Sequence, residues 1–171
     1  MTNIIYSTII AMVMTSSFVP NFDILSRYAD DYNFNIEESD IFYGTEEDVN
    51  LLCQLVYGEG NGLTDYEKSL IVWCVMNRVD DDRFPNSIQE VITQKGQFYG
   101  YKINFPITKE NLKIVYDVLL RYYNNLDGRT LPKDYLYFHG DGKHNYFRKE
   151  YKDKTYFTFS SYEPYWGGYY D

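Results

Sequence analysis

A single carboxylate set between glycines is the group best suited to chemistry in this chain. In the stretch 55–62, Leu-Val-Tyr-Gly-Glu-Gly-Asn-Gly, Glu59 falls where an apolar helical stripe gives way to glycine-rich backbone. Glycines on both sides remove the side chains that would hold a ligand off the backbone. The carboxyl end of a helix disfavours further negative charge, and Val56 and Tyr57 can dehydrate the group. Both effects predict a raised pKa, the property a glycosidase acid needs if it is to keep its proton for a departing glycosidic oxygen. The same residues also fit a solvated glutamate in an ordinary glycine-rich turn, and pattern alone leaves both readings standing.

Other candidates are weaker. Gln97 offers an amide for an N-acetyl group and Phe98 a ring for a sugar face, and Tyr137 and His139 are substrate-binding candidates of the same kind. The alternative for Phe98 is a core ring, and for Gln97 a turn cap. Asn77 and Arg78 read as closing a helix at its carboxyl end, where a cation is favoured. Glu67, three residues after Thr64, has the spacing of a capping box and hence a structural purpose. His139, Asp141 and His144 could begin a zinc site for a peptide-cleaving amidase, but they hold the chain's 2 histidines at a spacing that is not a zinc pattern. No metal and no cofactor is expected.

The elements that must position these groups are mostly helical. Thr45, followed by Glu46, Glu47 and Asp48, predicts a helix start, with Leu51, Leu52, Leu55 and Val56 on one stripe and a stop at Gly58, Gly60 and Gly62. The Thr64 box opens a second helix through Val79, the pair Ser87 and Glu90 a short third, and Thr108 a long fourth with apolar residues from Leu112 to Tyr123 at helical spacing. After Gly128 the pattern turns to short aromatic runs, 134–140 and 155–162, the second alternating as a strand does. The expected class is α+β, mainly α, in a single domain over 45–171.

Ahead of that domain, 21–44 reads as an acidic linker. Residues 1–20 form an apolar leader with the length of a signal-peptide core, too short to span a bilayer and without a preceding Lys or Arg. With 171 residues and 44% hydrophobic content the chain can bury one core. A net charge of −9 argues against nucleic acid, whose binding needs clustered Lys and Arg. The 20 Tyr and 11 Phe exceed the needs of a core, so some rings should line a groove, unless codon bias alone explains them. Cys53 and Cys74 lie in apolar helical stretches and read as small core residues, with pairing left open.

Residues 51–101 resemble the spore-cortex-lytic and cell wall hydrolase family of the SleB type. The shared features occur in order: the Gly-Glu turn at Glu59, a helix ending in Asn77-Arg78-Val79, Phe84-Pro85 ahead of a short helix, and Gln94-Lys95-Gly96-Gln97-Phe98. The segment 137–148 is similar to an aromatic stretch that some members carry. The resemblance implies a lysozyme-like fold, cleavage between N-acetylmuramic acid and N-acetylglucosamine, and Glu59 as the catalytic acid. Many members carry a second acid shortly after the first, where this chain has Leu63.

Simple hydrolysis uses two carboxyls about 5 to 9.5 Å apart. A lone acid suffices for a lytic transglycosylase, in which the muramic 6-hydroxyl replaces water as nucleophile. The expected protein is therefore a monomeric peptidoglycan-cleaving enzyme, secreted, wall-associated or phage-delivered, with glycan strands as its partner and no membrane span in the mature chain. A wall-binding protein without activity is the reading from outside enzymology.

Overall fold

The computed structural model describes residues 44–157 apart from 124, 126 and 127. The leader at 1–20, the linker at 21–44 except Gly44, and the alternating run at 155–162 beyond Phe157 lie outside the described residues. Four helices and one hairpin make up the rest: α1 Glu46–Glu59, α2 Asp65–Val79, α3 Ile88–Thr93, α4 Lys109–Tyr123, β1 Tyr137–Gly140 and β2 Asn145–Arg148.

Local chemistry explains where the helices start. The Thr45 hydroxyl accepts the Asp48 N–H at 3.1 Å while Asp48 accepts the Thr45 N–H in return, and Thr64 and Glu67 repeat the arrangement ahead of α2. Ser87 accepts from the Glu90 N–H at α3, and Thr108 from the Asn111 N–H at α4. Each such cap satisfies a donor that the helix itself leaves unpaired, and contributes about 1 kcal/mol.

α2 is the central element. From Ser69 to Arg78 every residue is buried, so it lacks the polar face of a surface helix. α1, α3 and α4 all pack on it, α4 and α3 also pack on α1, and Leu52, Leu55, Leu70, Ile71, Trp73, Ile114 and Leu119 fill the space between. Fully burying an aliphatic side chain of this kind contributes roughly 1.5–3 kcal/mol. α4 carries a buried ion pair, Arg121 Nε to Asp117 Oδ1 at 3.0 Å. Cys53 and Cys74 are buried and free, and burial pushes their thiols up to about 12 and about 11, so both are protonated core groups.

β1 and β2 pair antiparallel, with Phe138 opposite Phe147 and His139 opposite Tyr146. The first strand falls within the aromatic run expected at 134–140. The second does not match the expectation: it is Asn145–Arg148, while Thr155–Phe157 form no strand, although the Phe157 N–H meets the Phe147 carbonyl of β2 at 2.8 Å and the Tyr156 ring packs on Tyr146. The Asp141–His144 turn is tight enough to pair its flanks, which strand propensity alone does not reveal. The class is α+β, mainly α.

Candidate active site

Glu59 is the last residue of α1, and its position depends on a contact between two bare backbones. α1 ends among the glycines, as their pattern suggests: it runs through Gly58 to Glu59, and the Gly60 N–H closes on the Val56 carbonyl at 2.8 Å. Gly58 sits against Gly100. A Cβ on Gly58 would lie 2.0 Å from the Gly100 carbonyl oxygen, and one on Gly100 would lie 2.7 Å from that of Gly58. A glycine inside a helix costs about 1 kcal/mol against alanine, and here that cost secures the approach of the 94–101 loop to the helix end.

The approach delivers one hydrogen bond to the acid. The Gly100 N–H donates to Glu59 Oε1 at 2.6 Å. Burial pushes the half-buried Glu59 carboxyl above its ordinary value, and this N–H draws it part of the way back. The result is a carboxyl whose proton is held more tightly than in water while its orientation is fixed. Beyond Tyr57 and Gly60 lies an open cavity of about 170 Å³, walled also by Asn61, Lys68, Glu110 and Asn111. The Tyr57 ring leans on Phe105, 5.1 Å between centroids.

Gln97 and Phe98 belong to the loop that reaches Glu59. Gln97 is half-buried, with its N–H on the Gln94 carbonyl at 3.2 Å. Phe98 is only 8% exposed, its ring covered by the Arg78 guanidinium at 4.8 Å and adjoined by Phe138 at 6.0 Å. The ring that is open on this loop is the neighbouring Tyr99, 88% exposed. Tyr137 lies half-buried in β1 between Phe84 and Tyr151, and His139 is exposed on the hairpin, stacked on Tyr146 at 5.3 Å and flanked by Tyr156. The structure thus brings Gln97 and Phe98 to the acid's loop and gathers His139 into a separate aromatic cluster.

Asn77 and Arg78 stand in the last turn of α2, as expected, and do more there than close the helix. Both are buried. Asn77 Nδ2 donates to the Pro132 and Tyr135 carbonyls at 2.8 and 3.0 Å, and Arg78 Nε donates to the Leu136 carbonyl at 2.7 Å. The pair fastens α2 to the segment leading into β1, a role their sequence position hides because the partners lie more than 50 residues away.

The trio considered for zinc is otherwise engaged. Asp141 Oδ1 accepts the Lys143 and His144 N–H groups, each at 2.8 Å, and Oδ2 accepts the Tyr146 hydroxyl; the His144 N–H, then the other two donors, hold its carboxyl down to about 2. His144 Nδ1 lies 3.0 Å from Glu67 Oε1. Among the described residues no three His, Cys, Asp or Glu side chains converge as metal ligands.

With this geometry in place, the sequence pattern described as Cell Wall Hydrolase matches residues 64–166, more than half of the chain. The chain belongs to the cell wall hydrolase family. The matched stretch takes in α2, the 94–101 loop and the hairpin, and begins just past Glu59. No curated protein and no solved structure matches the chain. Membership makes this a hydrolytic enzyme of the cell wall, with peptidoglycan as the substrate class. Among the described residues no helix is long and apolar enough to cross a membrane.

Proposed function

We propose that this cell wall hydrolase cuts glycan strands between N-acetylmuramic acid and N-acetylglucosamine as a lytic transglycosylase, with Glu59 as its acid and then its base. The observation that carries the reading is the half-buried Glu59 carboxyl, raised by burial and oriented by the Gly100 N–H. Glu59 gives its proton to the bridging oxygen, and the C1–O bond breaks with its electron pair leaving on that oxygen. The Glu59 carboxylate then takes the proton from the muramic 6-hydroxyl as O6 bonds to C1. The product is a 1,6-anhydro sugar, Glu59 is protonated again, and no water is consumed.

Leu63 stands where a second acid is common in the resembling family, and the next two carboxylates beyond it are engaged, Asp65 by Lys68 and Glu67 by Thr64 and His144. That favours an internal nucleophile over a base-activated water. In this reading 45–171 is the catalytic domain on a lysozyme-like scaffold, 21–44 a linker and 1–20 an export leader, and the enzyme works as a monomer on the wall outside the cell. Gln97 contacts the N-acetyl group, while Tyr137 and His139 line more distant parts of the strand.

Digesting purified peptidoglycan and weighing the fragments tests the proposal. Muropeptides lighter by one water than their hydrolysed counterparts are expected, and they should vanish with Glu59→Gln. Reducing ends in their place would assign water as the nucleophile, and free stem peptides would assign an amidase.

A further inference from the structure

Arg78 is the most unusual charged group in the described residues. It is 3% exposed, and its charge is met by ring faces and a carbonyl: Phe98 at 4.8 Å, Phe84 at 5.0 Å, Tyr137 at 5.6 Å, and the Leu136 carbonyl at Nε. These partners come from the turn after α2, the 94–101 loop and the start of the hairpin. A planar guanidinium can stack on several rings and still donate at its edge, which a lysine ammonium cannot do.

The loop under Arg78 is the one that reaches the acid. Phe98 is its only deeply buried residue, two positions before Gly100, and the Tyr101 N–H returns to the Phe98 carbonyl to close the turn between them. We propose that Arg78 is a positioning residue for Glu59: wedged among Phe84, Phe98 and Tyr137, it clamps the loop whose Gly100 N–H meets the Glu59 carboxylate. The clamp acts through Phe98 and through the Gly58–Gly100 contact, and Arg78 itself touches no reacting atom. Its importance for turnover rests on the functional reading above, whereas its hold on the Gly100 hydrogen bond does not.

The test uses the full chain and two variants, Arg78→Met, which keeps the bulk and removes the planar cation, and Phe98→Leu, which keeps an apolar anchor and removes the ring. NMR of the Gly100 amide across a pH titration reads the hydrogen bond directly. In the parent this resonance should move in step with ionisation of Glu59, and Glu59→Gln should abolish the movement. Both clamp variants, folded by circular dichroism, should lose that dependence, and their kcat on peptidoglycan should fall by roughly 10- to 100-fold with KM changed far less.

A parent-like Gly100 titration in folded Arg78→Met overturns the proposal. If Arg78→Met does not fold, Phe98→Leu decides alone: a parent-like titration there overturns the route through Phe98. If the titration is lost in both variants while Glu59→Gln remains as active as the parent, the clamp stands and the catalytic assignment of Glu59 fails.

Discussion

Two glutamates eight positions apart, at facing ends of consecutive helices, show how neighbours assign a carboxylate its work. Glu67 is the more deeply buried, 5% exposed, and its oxygens meet the Thr64 hydroxyl at 3.0 Å and the His144 ring at 3.0 Å. Glu59 is half-buried at a helix carboxyl end, and the hydrogen bond it receives is one backbone N–H from a distant loop. The first sits where the helix dipole welcomes negative charge and is tied into the fold, while the second sits where the dipole opposes it. Depth of burial alone does not select the reactive acid; a carboxylate whose lone pairs are committed to structure cannot also serve a substrate.

Replacing each in turn should separate them most sharply. Glu59→Gln is expected to fold and lose on the order of 100- to 10,000-fold in kcat, the usual share of general acid catalysis. A mutant that solubilises wall at the parent rate would remove the distinction between the two sites. Stability should move the other way. The folded-state pKa of Glu59 lies above its unfolded value of 4.5, so the native state holds the proton more tightly and ionisation penalises it. Stability therefore declines as pH rises from 4.5 through the folded pKa, and glutamine escapes the penalty. Thermal melts of the two proteins should coincide near pH 4 and diverge in favour of Glu59→Gln toward about pH 7. Activity that depends on protonated Glu59 should fall over the same rising range.

The glycine joint is the next most sensitive point. Gly58→Ala drives a methyl to 2.0 Å from the Gly100 carbonyl, so either α1 or the loop must shift. An overpacking cost of roughly 1–3 kcal/mol is expected by chemical denaturation, with kcat lowered further than the stability loss explains. Glu67→Gln should cost about 1–2 kcal/mol and leave activity per folded molecule near the parent. Thr45→Ala, which removes a cap remote from both acids, should cost about 1 kcal/mol and nothing in turnover.

What could be read in the sequence follows from the range of each interaction. Caps at Thr45, Thr64, Ser87 and Thr108 are settled within three residues, and the four helix starts follow from them. Glu59 was legible as a candidate because its peculiarity, a lone acid between glycines, is also local. The Gly100 N–H was not, since it arrives from 41 residues downstream. The hint is a glycine placed between Tyr99 and Tyr101, whose reason, the close approach to Gly58, lies outside its own stretch of sequence. Arg78 is legible as a cation in the last turn of a helix, but nothing nearby reveals the rings of Phe98 and Tyr137, which arrive from later segments. The second strand is not legible because its mixed Asn-Tyr-Phe-Arg lacks the alternation that marks 155–162, of which 155–157 form no strand.

The Gly58–Gly100 contact also bears on how the enzyme could be changed. Because each backbone occupies the space that the other's first side-chain carbon would need, neither position tolerates exploration by single steps, and substituting both compounds the collision. Attempts to retarget the enzyme toward other glycans would do better to vary the wall of the neighbouring cavity, at Tyr57 and Asn61, and leave this joint of bare chain untouched.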